Sequence, residues 1–258
     1  MRLITETQAP RNIFTFKAQS YDQALEKAAA GLKDEAVQGC VWLREGFRRV
    51  NTPSPMQFYA LLESEIIGGN SELSRINPVF GLPSTDWFRL AARIEKSGNT
   101  LFPDSDLMRS LMHPEVGDVL KYFTSCFMTL RFVTETSATL HIDNAYQETS
   151  LFKNLFSRKL FGTKSIRMIE YEGDIPGTLV YDPADVDKND YMAWVNSGNI
   201  YPDFNKTPEP WMVRSSDVLI LTNTSWPRRK VLIHSEPKIE RCKVKDARAI
   251  RIYDCFPT

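Results

Sequence analysis

From about residue 128 onward, apolar and polar residues alternate with a period of two, and Gly, Pro, Asn, Asp or Ser break the alternation at short intervals. Successive side chains of a strand point to opposite faces, so this pattern predicts half-buried strands joined by turns. Eight segments carry it: MTLRFVTET, ATLHIDN, SIRMIEYEG, GTLVYD, WMVRSS, DVLILTN, KVLIHSEP and ARAIRIYD. All are rich in the β-branched and aromatic residues that suit a pleated surface.

The first half has a period nearer 3.6. Ser20 and Gln23 have the form of a capping box, and Leu25, Ala28, Ala29 and Leu32 follow at helical spacing, predicting a helix over 21–33. A second helix is predicted from Ser54-Pro55, through Phe58, Leu61, Leu62 and Ile66, to Gly68-Gly69. Further helical stretches are predicted around 85–96 and 105–123, separated by the turn-prone SGNTLFPDS. VQGCVWLREGF, between the first two helices, reads as a strand. The pattern therefore predicts an α+β fold. Residues 1–127 form a mainly helical buttress and residues 128–258 a double-stranded β-helix (a cupin-like jelly roll), with the N-terminal helices backing one sheet of a single integrated domain.

Two segments interrupt the strands. Residues 145–164 carry Leu151, Leu155 and Phe156 and read as a short amphipathic helix. Residues 183–210 are rich in Asn, Asp and Pro yet hold Tyr191, Trp194, Tyr201 and Phe204. Long connections with aromatic anchors serve as lids or binding loops, and a decorated surface loop is the equal alternative.

Composition narrows the partner. The 258 residues are 42% hydrophobic and 11% aromatic, enough for a substantial core. Thirty-two basic residues balance thirty-two acidic ones, so no overall field gathers nucleic acid or an anionic membrane. The expected partner is a small molecule, and a homodimer is left open. The opening MRLITETQAPRN has no apolar signal-peptide core, and no stretch approaches the roughly 18 apolar residues of a membrane span, so a soluble cytoplasmic protein is expected. Cys40, Cys126, Cys242 and Cys255 are dispersed with no CxxC pair, as expected of reduced thiols.

The chain has three histidines. His141 and Asp143 stand two apart in a predicted strand, which sets an imidazole and a carboxylate side by side on one face. His234 lies in the seventh predicted strand, a neighbour of the second in a jelly roll. Two imidazoles and a carboxylate on one face are the donor set of a non-haem Fe(II) facial triad. The competing reading makes both histidines half-buried strand residues bonded to neighbours. His113, before Pro114, reads as a capping or surface residue.

The order His141-x-Asp143, His234 roughly ninety residues later, and Arg248 fourteen residues beyond that resembles the Fe(II)/2-oxoglutarate-dependent dioxygenase superfamily. The spacing is closest to its taurine dioxygenase and clavaminate synthase type, over residues 128–256. The resemblance implies that His141, Asp143 and His234 hold Fe(II). It implies that Arg248 pairs with the distal carboxylate of 2-oxoglutarate, with Arg251 in that role if strand parity is shifted. Thr178 in IPGTLVY corresponds to a threonine that contacts the cosubstrate, although the family turn commonly reads Gly-Asp-Thr and Gly177 precedes Thr178 here. The same half also resembles a family of uncharacterised bacterial proteins with the same progression, which implies no activity.

The chemistry suits these residue types. Three protein ligands leave coordination positions open for a 2-oxo acid and dioxygen. The planar guanidinium holds a carboxylate bidentately and keeps its charge. The implied reaction is hydroxylation or desaturation of a small molecule; halogenation is disfavoured because Asp143 stands where halogenases have a small residue. Two other functions stay open: a non-oxidative metal-dependent cupin such as an isomerase or lyase, and a non-enzymatic jelly-roll module that closes 183–210 over a ligand. Trp226-Pro227-Arg228-Arg229-Lys230 reads as a solvated hairpin or a cationic patch for an acidic substrate. Glu236 and Tyr171 are candidates for orienting a ligand.

Overall fold

The computed structural model describes residues 1–44, 87–95, 122–123, 125–133, 139–142, 166–172, 177–222, 231–240 and 248–256. In chain order its strands are β1 (Arg2–Leu3), β2 (Ile13–Phe16), β3 (Gly39–Trp42), β4 (Trp87–Glu95), β5 (Ser125–Val133), β6 (Ile166–Glu172), β7 (Leu179–Val180), β8 (Trp211–Met212), β9 (Val218–Thr222), β10 (His234–Ser235) and β11 (Arg248–Phe256). The helices are α1 (Tyr21–Gly31) and α2 (Lys188–Ser197). Among the described residues the strands form two mixed sheets, a seven-stranded one in the order β2-β3-β9-β6-β11-β5-β4 and a four-stranded one in the order β1-β8-β7-β10. The pairs β1–β8 and β2–β3 are parallel and the others antiparallel.

Strand alternation decides what lies between the sheets. Val180, Trp211 and Leu232 from the small-sheet side share one buried cluster with Val41, Ile169, Tyr171, Leu219, Leu221, Ile250 and Ile252 from the large sheet. The alternate residues face away. β9 is buried at all five positions, because the large sheet is covered on both faces there. Helix α1 supplies that second cover. It begins at Ser20, whose hydroxyl accepts the Gln23 N–H at 3.2 Å, while the Gln23 side chain accepts the Gln19 N–H at 3.1 Å. Its buried stripe of Tyr21, Ala24, Leu25, Ala28 and Ala29 follows the predicted period.

The extended segments of the second half all contribute to the sheets, and the described residues of ATLHIDN do so through a bridge at His141. The helix expected over 85–96 is instead the edge strand β4. WFRLAARIE fits both periods: Trp87, Leu90, Ala91 and Ile94 have helical spacing, but nine consecutive residues find register partners on β5. A weak helical propensity yields to a complete ladder. The predicted helix at 54–68, the segment 145–164 and Asp143 lie outside the described residues, as does nearly all of 105–123. Among the described residues no helix is long and apolar enough to cross a membrane.

Residues 183–210 fold onto the small sheet. A single 3-10 turn at Pro183–Asp185 leads into α2, which Asp187 caps by accepting the N–H groups of Asn189 and Asp190 and which Gly198 ends at φ 84°. Trp194 and Phe204 are buried against Ile142, Leu179, Tyr181, Val231 and Ile233. These belong to the face of the small sheet turned away from the large sheet, so this segment is a backing layer behind the sandwich.

Candidate metal centre

The two strand histidines meet at the edge of the small sheet. In β10, His234 pairs antiparallel with Val180 of β7. Its other edge receives His141 in an antiparallel bridge, where the His141 N–H donates to the His234 carbonyl at 2.8 Å and the His234 N–H donates back at 3.0 Å. Residues directly opposed in this way carry their side chains on the same face. The rings accordingly lie 4.4 Å apart between centroids, inclined by 55°. That face is the inner one. Val180 and Leu232 belong to the core between the sheets, whereas Ile142 and Ile233 belong to the layer behind. His234 is buried at 3% exposure and His141 is half-buried.

Both imidazoles are held in the same way. The Nδ1 of His141 lies 2.9 Å from the Thr139 carbonyl oxygen, and that of His234 lies 3.1 Å from the Leu232 carbonyl oxygen. A carbonyl only accepts, so each Nδ1 donates in that contact, and Nε2 is the ring nitrogen through which either imidazole could ligate a metal. Two imidazoles on one face, each oriented by a hydrogen bond at Nδ1, fit the donor requirements of a divalent first-row metal ion. Among the described residues no third Cys, Asp or Glu completes a cluster with them.

The remaining predicted residues divide between the inside of the sandwich and the outer face of the large sheet. Thr178 is buried at 3% exposure, two positions before Val180. Its N–H donates to the Tyr171 hydroxyl at 3.0 Å, a bond that crosses from one sheet to the other. Tyr171 pairs in register with Ile250 of β11. Position 248 is two residues from Ile250 and pairs with Val133, so strand parity assigns it to the face of Ile250 at the Thr178 end of the sandwich. Arg251 lies on the other face. Its register partner is Glu170, whose carboxylate bonds the Tyr21 hydroxyl of α1 and the Arg44 guanidinium. Arg251 is thus buried beneath α1 and turned away from the histidines. Glu236 is half-buried, two residues beyond His234.

Two features at the site had no signature in the sequence. The carbonyls that orient the imidazoles belong to the backbone, which any residue supplies. The bond from Thr178 to Tyr171 joins residues on different sheets, so only the alternation of Ile169 and Tyr171 hinted that Tyr171 faces inward. Behind the site the Tyr181 hydroxyl meets the Ser235 hydroxyl at 3.0 Å, and burial raises the Tyr181 pKa, an effect partly offset by that bond.

No protein-family model matches the chain, and none of the curated proteins matches it. Solved structures do resemble it. A prolyl-4-hydroxylase from Pseudomonas putida aligns over 89% of this chain and 98% of its own at 7% identity and a TM-score of 0.43. Full-length T7H of Neurospora crassa, crystallised with alpha-KG and 5-formyluracil, aligns over 99% of this chain and 87% of its own at 10% identity and a TM-score of 0.40. The epimerase SnoN, in complex with Fe3+, alpha ketoglutarate and nogalamycin RO, aligns over 90% and 84% at 13% identity and a TM-score of 0.35. Likenesses this distant carry no activity across, so the functional reading rests on the residues of this chain.

Proposed function

We propose that this protein is an Fe(II)- and 2-oxoglutarate-dependent oxygenase that hydroxylates or desaturates a small molecule, with its two sheets forming the double-stranded β-helix of that class. The observation that carries the reading is the bridged pair His141 and His234, whose rings share the inner face of the small sheet with each Nδ1 held by a main-chain carbonyl. Such a pair is what a metal needs from the protein before it arrives.

In this reading His141, His234 and Asp143 hold the metal. The Thr139 and Leu232 carbonyls keep the imidazoles aimed. Arg248 receives the distal carboxylate of the cosubstrate, and Thr178 contacts it from the facing sheet. Val180, Ile250 and Ile252 wall the site with hydrocarbon, which excludes water and strengthens a charge pair formed there. Bound iron and 2-oxoglutarate would supply the oxidising power for an unactivated C–H bond, with succinate and carbon dioxide as coproducts. Substrate selection falls to the loops at the sandwich ends.

The test is anaerobic addition of Fe(II) followed by 2-oxoglutarate. The weak visible charge-transfer band of a chelated 2-oxo acid is expected, and succinate should form when air is admitted. A protein that binds Fe(II) and gives no band with 2-oxoglutarate is a non-oxidative metal protein, and the proposal fails.

A further inference from the structure

The Gly177-Thr178 segment is held by three contacts, two of them with Val213. The Thr178 carbonyl accepts the Val213 N–H at 3.0 Å. Gly177 lies so close to the neighbouring chain that an added Cβ would sit 1.9 Å from the Val213 carbonyl oxygen, so only glycine fits. The third hold is of another kind. Thr178 N–H donates to the hydroxyl of Tyr171, which rises from β6 of the opposite sheet. Both residues are buried, at 3% and 6% exposure. A backbone donor in the small sheet is thus satisfied by a side chain from the large sheet, at the end of the sandwich where strand parity places position 248.

We propose that Tyr171 is a positioning residue for the 2-oxo acid. It acts through Thr178, by tying the Gly177-Thr178 turn to the large sheet so that the threonine hydroxyl and Arg248 stay a fixed distance apart across the cosubstrate. The inference rests on the oxygenase reading above. Its geometric content is that one hydroxyl ties the Gly177-Thr178 segment to the opposite sheet, at the end of the sandwich where the two sheets would bind opposite sides of one ligand. A ligand spanning two independently moving walls forfeits affinity to their ordering, and a bond joining the walls beforehand removes that cost. The metal is held at one edge of the small sheet by His141 and His234, whose orienting bonds do not involve Tyr171, so metal binding and cosubstrate binding should respond separately.

The experiment is calorimetric titration of 2-oxoglutarate into Mn(II)-loaded protein for the wild type, Tyr171→Phe, Thr178→Val, their double variant, and Tyr181→Phe. Y171F should bind Mn(II) as wild type does and weaken 2-oxoglutarate about tenfold or more. T178V should weaken it at least as much. The double variant should be no weaker than T178V alone, because on this proposal the tyrosine's effect on the cosubstrate passes through the threonine. Y181F removes a buried hydroxyl contact of the same 3.0 Å length on the rear of the same sheet and should leave the affinity unchanged. Additive losses, an unaffected Y171F, or an equal loss in Y181F would overturn the proposal. Should Y171F fail to fold, T178V decides: unaltered 2-oxoglutarate affinity there overturns it. A wild-type protein that takes Mn(II) and ignores 2-oxoglutarate would sink the oxygenase reading and this inference together, whereas wild-type binding with unaffected variants sinks this inference alone.

Discussion

Replacing His234 with Asn separates the two jobs proposed for that side chain. The Asn amide nitrogen sits one bond from Cγ, as Nδ1 does, and can keep donating to the Leu232 carbonyl, which lies 3.1 Å from Nδ1. Nothing in Asn reaches the position of Nε2. Because His234 is 3% exposed, the missing ring atoms leave a void. A void on the order of 40 Å³ at about 24 cal/mol per Å³ costs about 1 kcal/mol. For a chain of this size that lowers Tm by about 2–4 °C. The metal response should change much more. A ligand at a hundredfold over its Kd stabilises the folded state by about 2.7 kcal/mol, or about 5–10 °C on the same scale. Wild-type protein titrated with Mn(II) in a thermal melt should show a rise of that size, and H234N should show none at the same concentration. His141→Asn is the matching test on the other strand, where the Thr139 carbonyl lies 2.9 Å from Nδ1. A full Mn(II)-dependent rise in H234N, or no rise in the wild type at any concentration, would refute the paired-histidine centre.

Three further outcomes are expected. Arg248→Leu should weaken 2-oxoglutarate with Mn(II) binding retained, whereas Arg251→Leu should lower Tm and leave the cosubstrate affinity of the folded protein alone; calorimetry and melting on both variants check this, and the reverse pattern would mean that the β11 register is misassigned. Burial raises the pKa of Asp217, with the Arg44 N–H bond at 3.0 Å opposing the shift. A carboxyl whose folded pKa exceeds its unfolded one stabilises most below the unfolded value, and that contribution is lost as pH rises through the folded value; Asp217→Asn, which keeps an acceptor for Arg44, should therefore gain Tm relative to wild type at pH 7 and lose that advantage below about pH 4. Trp194→Ala should cost about 3–5 kcal/mol in urea unfolding, and because Ile200, in the same segment, accepts the Ile142 N–H at 3.0 Å, it should also weaken Mn(II) binding; unchanged metal affinity would show that the backing layer does not hold the His141 strand.

What the sequence made legible of the candidate site was local. A period of two told which residues share a face, so His141-x-Asp143 was readable as one side of a strand before any strand had a partner. The Ser20 cap and the stripe behind it were local in the same sense. Where a local pattern served two structures, it misled. The stretch 85–96 carries a helical spacing, and only the strand lying beside it turned it into β4. Residues 183–210 read equally as a lid or a surface loop, since aromatic anchors say that a segment packs and not which side of a sheet it packs on.

What the chain determined by itself was the set of strand faces and the donor types placed on them. What the tertiary structure decided was pairing. It set His141 opposite His234, turned Arg251 toward Glu170 and α1, and brought the Tyr171 hydroxyl to the Thr178 amide. The physical reason is that a side chain's alternation follows from its own backbone, whereas the partner of a strand edge is chosen by the free energy of a whole ladder and of the core closing behind it.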